Sequence, residues 1–239
     1  MRHPIVILHG WGLSKDRYDG LVRELRNQHF QVFAVDFPGF GKSETPNRPQ
    51  TLSDYAAFLH AYLTDHAVKA PILLGHSFGG RVALKYQVMY PGKVHALILT
   101  GTPGFTPVPK KKLMLVIAMA KIGGFVFSLP IINFFQEYVR RWYYYAAGAR
   151  DYYRAEGIMR MTFKNIVREN LLDYMRSVRV PTYLVWGAQD IITPVWIAQK
   201  MNKEILHSKL TVIPNSDHGV SFKNPVEFVA VILPWLETL

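Results

Sequence analysis

The 239-residue chain contains no cysteine. Disulfides, thiolate nucleophiles and Cys-ligated zinc are thereby excluded, and the expected setting is a reducing, cytoplasmic one. Metal-binding patterns are missing too: His60 and His66 lack the H-E-x-x-H spacing that puts two imidazoles on one helical face, so no metal is expected. Nor is a cofactor expected. Gly39-Phe40-Gly41-Lys42-Ser43 has the end of a phosphate loop, but Asp36 stands where the first glycine of G-x-x-x-x-G-K-S belongs. A secretory leader is not evident either, because the apolar run from Ile5 to Leu8 is four residues long and has no small-residue cleavage site after it. Acidic residues are scarce, with 17 Asp and Glu against 28 Lys and Arg, a formal net charge of +11.

That surplus is concentrated between Phe105 and Arg179, where 13 Lys and Arg face five Asp and Glu. No helix-turn-helix, RNP or zinc-finger pattern accompanies it, and the charges are interleaved with large apolar residues, so nucleic acid is not the expected partner. An acidic partner, an anionic substrate or a membrane surface fits better, and solubility alone accounts for the charge equally well.

What is present is an alternation of short β-branched runs with longer amphipathic ones. Strands are predicted over Ile5 to Leu8, Gln31 to Asp36, Pro71 to Leu74, Val94 to Thr100, Val180 to Trp186 and Lys209 to Ile213. Helices are predicted over Lys15 to Asn27, Leu52 to Ala67 (capped by Thr51 or Ser53), Gly80 to Tyr90, Val195 to Leu206 and Val226 to Glu237. Such alternation implies an α/β fold with a parallel sheet covered on both faces and binding at the carboxyl ends of its strands. The pattern lapses from Phe105 to about Val178, which reads as helical, aromatic and basic. The chain therefore divides into a core, 1–104 with 180–239, and a helical cap insertion, 105–179. Within that insertion Leu113 to Ile132 is long enough to span a membrane, but Lys121, Gly123-Gly124 and Pro130 argue for a helix buried against the core. Trp142 to Tyr145 can line a pocket or pack the cap, and Arg140, Arg141, Arg150 and Arg154 can form a solvated face.

The chemistry-bearing pattern is Gly75-His76-Ser77-Phe78-Gly79, placed between a buried strand and a helix. It matches a nucleophile elbow, in which glycines permit a turn sharp enough to lift a serine to the sheet edge. A serine hydroxyl needs a base, and the base needs an orienting acid. Asp190 follows the strand ending at Trp186, His218 follows the one ending at Ile213, and the order Ser77, Asp190, His218 is the expected one. Asp217 adjoins His218, but sequence neighbours seldom point together, so Asp190 is the better acid. His9 and His76 read as hydrogen-bonded packing residues.

Five motifs carry a resemblance: His9-Gly10-Trp11-Gly12, Asp36 to Ser43, Gly75 to Gly80, Trp186-Gly187-x-x-Asp190-x-x-x-Pro194, and His218 before Asn224-Pro225. Through them the chain resembles the α/β-hydrolase superfamily over about Met1 to Gly104 and Val180 to Leu239. The resemblance implies that the backbone N–H groups of Trp11 and Phe78 form an oxyanion hole. It also implies a mostly parallel sheet of about six strands without the family's usual N-terminal hairpin, because the strand leading into His9-Gly10 starts at Ile5. His9 to Leu13 further resembles carboxylesterases that cleave the methyl ester of pimeloyl attached to acyl carrier protein. Such a carrier is acidic, which suits a basic cap.

The expected activity is serine-dependent cleavage of a small-molecule carboxylic ester with an apolar acyl or aromatic portion. Two alternatives remain: hydrolysis of a carbon–carbon bond in a ring-fission product by the same triad, and a ligand-binding receptor on this fold that does not turn over.

Overall fold

The computed structural model describes residues 2–105 and 156–239. The expected features at Leu113 to Ile132, Trp142 to Tyr145 and Arg140, Arg141, Arg150 and Arg154 lie outside the described residues. So does most of the proposed cap.

Six strands form one sheet: β1 (Ile5–Leu8), β2 (Val32–Val35), β3 (Ile72–His76), β4 (Ala96–Thr100), β5 (Thr182–Gly187) and β6 (Ser208–Ile213). Their spatial order is β2-β1-β3-β4-β5-β6, and every pairing is parallel. The expected class and strand number are met. A parallel sheet needs helices on both faces, and its strands then bury side chains in both directions. β1 shows this in four residues. Val6 and Leu8 pack with Leu52, Tyr55, Val82 and Ile197, whereas Ile5 and Ile7 pack with Leu21, Leu25, Phe228 and Ile232. Each such burial contributes about 1.5–3 kcal/mol relative to exposure.

The first face is covered by α2 (Leu52–Asp65), α3 (Phe78–Met89), α5 (Leu172–Ser177) and α6 (Val195–Glu204). On the opposite face lie α1 (Asp19–Asn27), α7 (Val220–Lys223) and α8 (Pro225–Leu236). α4 (Gly157–Arg168) precedes α5 and packs Ile166 into the first-face core. Of the two expected caps of α2, Thr51 holds: its hydroxyl accepts the Asp54 N–H at 3.2 Å while the Asp54 carboxylate accepts the Thr51 N–H at 2.8 Å. This reciprocal box satisfies N–H groups that the helix itself leaves unpaired.

Two expectations shift. The helix expected from Lys15 breaks into a 3-10 turn, Lys15–Tyr18, followed by α1, because the Lys15 N–H is held by Asp36 Oδ1 at 2.7 Å and the turn faces Tyr18 fully inward. α3 begins at Phe78 rather than Gly80, because the turn is completed at Ser77 alone. Among the described residues no helix is long and apolar enough to cross a membrane.

Candidate active site

The strand order reverses direction at β1 and β3, where an open parallel sheet forms its binding crevice beyond the carboxyl ends of the strands. Ser77 sits there, between β3 and α3, with φ 52° and ψ −111°. An L-residue seldom adopts a positive φ, and the surroundings impose it. The Ser77 N–H donates to the Thr100 carbonyl at 2.9 Å, and the Ser77 carbonyl accepts from Gly80 and Arg81 at 3.1 and 3.3 Å. The flanking glycines are required by contact: a Cβ on Gly79 would lie 2.1 Å from the Leu8 carbonyl oxygen, and one on Gly75 would lie 2.6 Å from the Gly80 Cα. Phe78 then starts α3, so its N–H is among those that have no acceptor within the helix and that favour developing negative charge.

Two loops away, His218 Nδ1 lies 2.8 Å from Asp190 Oδ2. The Asp190 side chain is 1% exposed and that of His218 is 17% exposed. The acid is held by its own loop: Oδ1 accepts the Ile192 and Thr193 N–H groups at 2.9 and 2.8 Å, and Oδ2 accepts the Thr193 hydroxyl at 2.7 Å. Trp186 fixes this loop from inside the core by donating its indole N–H to the Thr193 carbonyl at 2.7 Å. With three donors already on the carboxylate, both of its oxygens act as acceptors. It therefore accepts the His218 Nδ1–H and leaves Nε2 as the basic nitrogen. The imidazole stands against the end of β4, where a Cβ on Gly101 would be 2.8 Å from His218 Cε1. Asp217 faces elsewhere, accepting the Gly219 N–H at 2.9 Å and pairing with Lys223.

Trp11 lies in a tight turn closed by the Leu13 N–H on the Gly10 carbonyl at 3.2 Å, with Gly12 at φ 71°. Its indole meets Phe40, Phe78 and Phe163 edge-on, with ring centroids 4.8, 5.5 and 5.0 Å away. An apolar wall thus flanks the turn next to the elbow. Asp36 joins this turn to the next loop, since its carboxylate accepts the Lys15 and Lys42 N–H groups at 2.7 and 3.1 Å. That is a structural role for the Asp36 to Ser43 stretch.

His9 and His76 are both buried and hydrogen-bonded, as expected of packing residues. His9 bonds the Gly10 carbonyl through Nδ1 at 2.8 Å and accepts the Phe37 N–H through Nε2 at 3.1 Å. His76 Nδ1 is 2.7 Å from the Tyr18 hydroxyl, and its Nε2 is 2.9 Å from the His218 carbonyl oxygen. Burial lowers the affinity of both rings for a proton; that of His76 falls well below the usual histidine range, through burial first and the neighbouring His218 second.

The model of the alpha/beta hydrolase family matches residues 5–231. The chain belongs to that family. As an α/β-hydrolase it resembles an AB hydrolase superfamily protein, YisY, of Bacillus subtilis, at 26% identity over 96% of this chain and 90% of the relative. It is 24% identical to a pimeloyl-[acyl-carrier protein] methyl ester esterase of Wigglesworthia glossinidia brevipalpis, over 95% of this chain and 91% of that one. An esterase structure from Exiguobacterium antarcticum superposes with a TM-score of 0.75 at 22% identity, covering 98% and 92% of the two chains, and shares the fold.

The fold of this hydrolase brings Asp190 and His218 into contact and sets Ser77 and Trp11 at the same sheet edge. Sequence reasoning missed Thr193 and Tyr18. Thr193 had a faint signal, a hydroxyl three residues beyond an acid and just before Pro194. Tyr18 had none, because its partners Gly10 and His76 are brought to it only by the fold.

Proposed function

We propose that the chain is a serine hydrolase of carboxylic esters with an apolar acyl or aromatic portion. The observation that carries this reading is the 2.8 Å contact between Asp190 and His218, made at the sheet edge where the strained turn presents Ser77. The Ser77 hydroxyl attacks the ester carbonyl as His218 Nε2 takes its proton. The tetrahedral oxyanion is held by the Trp11 and Phe78 N–H groups, an arrangement in which one donor is worth about 3 kcal/mol to the transition state. His218 then protonates the leaving alcohol, and Asp190 stabilises the imidazolium. Water attacks the acyl-enzyme, gives its proton to His218, and the acid leaves as Ser77 is reprotonated.

The rings of Trp11, Phe40, Phe78 and Phe163 favour an apolar acyl group beside the elbow. The 105–179 insertion, as a cap, selects the ester, and its surplus of Lys and Arg favours an acyl group delivered on an acidic carrier protein. The likeness to the Wigglesworthia esterase supports the same substrate class.

Hydrolysis of p-nitrophenyl butyrate and labelling by a fluorophosphonate test the assignment directly. Both disappear in Ser77→Ala; persistence of either refutes the nucleophile. A ring-fission dienoate turned over faster than any ester would replace ester cleavage with carbon–carbon hydrolysis. Tight ligand binding without turnover of an ester panel would mark a receptor.

A further inference from the structure

The hydrogen bonds around His76 admit one proton order. The His218 carbonyl can only accept, so His76 Nε2 carries the hydrogen at their 2.9 Å contact. His76 Nδ1 is then an acceptor, and the Tyr18 hydroxyl 2.7 Å away donates to it. The Tyr18 oxygen in turn accepts the Gly10 N–H at 3.1 Å. The chain of donors runs from Gly10 to Tyr18 to His76 to the His218 backbone.

Its two ends matter. Gly10 opens the turn that contains Trp11, and His218 is the proposed base. His76 is covalently joined to Ser77. One buried string of hydrogen bonds therefore links the backbones that bear the oxyanion donor, the nucleophile and the base, which arise from three separate strands. We infer that Tyr18 and His76 are positioning residues that hold these three groups in register. This rests on the serine-hydrolase reading above.

The surroundings suit that task. Tyr18 is fully buried and His76 is 2% exposed, so water does not compete for their hydrogen bonds. Phe222 packs edge-on against both rings, with centroids 5.5 Å away in each case. The fit is close on the other side too, since a Cβ on Gly10 would come within 2.7 Å of His76 Nδ1. Burial keeps His76 neutral, so its two nitrogens retain opposite roles. The loop carrying His218 has a second hold, from the Gln189 N–H to the Ser216 carbonyl at 2.8 Å, but that bond reaches the acid's loop rather than the nucleophile.

The test uses the full chain and counts active sites by fluorophosphonate labelling, so that loss of folded protein does not enter kcat. Tyr18→Phe keeps the ring and removes the hydroxyl; it lowers kcat per labelled site for p-nitrophenyl butyrate about tenfold while KM stays within about twofold. Tyr183→Phe is the matched control. It removes a hydroxyl bonded to Thr211 between β5 and β6, on the same face of the sheet but outside the Gly10–Tyr18–His76 string, and keeps the wild-type kcat. His76→Ala loses about a hundredfold, and His76→Gln, whose amide N–H can replace the Nε2 donor, recovers part of it.

A wild-type kcat per labelled site in Tyr18→Phe overturns the inference. Should that variant fail to fold, equal kcat values in His76→Ala and His76→Gln overturn it instead. A wild-type protein that neither labels nor hydrolyses esters removes the serine-hydrolase reading itself, an outcome visible before any variant is made.

Discussion

Asp190 distributes its two oxygens unevenly. Oδ1 is occupied by two backbone N–H groups, and Oδ2 is divided between the Thr193 hydroxyl and His218. Removing the hydroxyl leaves His218 as the remaining described donor to Oδ2 and frees the carboxylate to rotate about the bonds made by Oδ1. Thr193→Val is therefore expected to lower kcat about tenfold and stability by about 1–2 kcal/mol, measured by steady-state kinetics and urea unfolding. Asp190→Asn is expected to be far worse, with a loss of about ten-thousand-fold, because its amide would present the wrong partner to the imidazole. The strand-end placement of Ser77, Asp190 and His218 was legible in the sequence because each stands in a motif just after a predicted strand. Thr193 and Tyr18 were not, because their significance is a contact and a contact across loops leaves no local pattern.

At the scale of elements, the carboxyl end of α4 rests on one buried cation. Arg81 on α3 is 4% exposed and donates to the carbonyls of Pro103, Ile166 and Glu169 at 2.6, 2.5 and 2.6 Å. The last two lie at the carboxyl end of α4, where unpaired carbonyls and the helix dipole both favour a positive charge. Burial lowers the guanidinium pKa to about 10, so it stays charged at neutrality. Beside it Lys85 pairs with Glu169 at 2.9 Å. Arg81→Lys supplies one point charge where a planar fork spans three acceptors. It is expected to cost about 1–3 kcal/mol in urea unfolding and to speed amide hydrogen exchange in α4 more than in α1. The strands and α1, α2, α3, α6 and α8 were readable from hydrophobic period within a few residues, whereas α4 and α5 were read only as part of one helical stretch. α7, at four residues, is too short to show one, and the break before α1 was hidden because Asp36, which holds Lys15, lies in the loop after β2.

Across the whole molecule, charge and burial set two responses to solvent. On the proposed carrier reading, the net charge of +11 attracts the acidic carrier over a long range, and salt screens that attraction. Raising ionic strength from low to about 0.5 M is expected to lower kcat/KM on a carrier-linked ester several-fold and to leave p-nitrophenyl butyrate unchanged; equal effects on both would argue against the carrier. Acid has a different target. His9 and His76 hold protons less readily in the folded chain than in the unfolded one, so the unfolded state binds more protons once pH falls below about 6.5. Their contribution is complete above that value and is lost as pH drops toward their folded values, by up to about 1.4 kcal/mol per pH unit for each ring. Urea midpoints between pH 7 and pH 5 check this, and His76→Gln should flatten the slope. The backbone of Ser77 sets a last relation, between endurance and use. Its φ of 52° suits glycine, and glycine there would relieve about 1–3 kcal/mol of strain against about 0.5–1 kcal/mol of added chain entropy. Ser77→Gly is thus expected to melt higher than the wild type while hydrolysing nothing. A lineage selected for durability alone would discard this serine early; on the proposed reading its strain is kept in exchange for turnover.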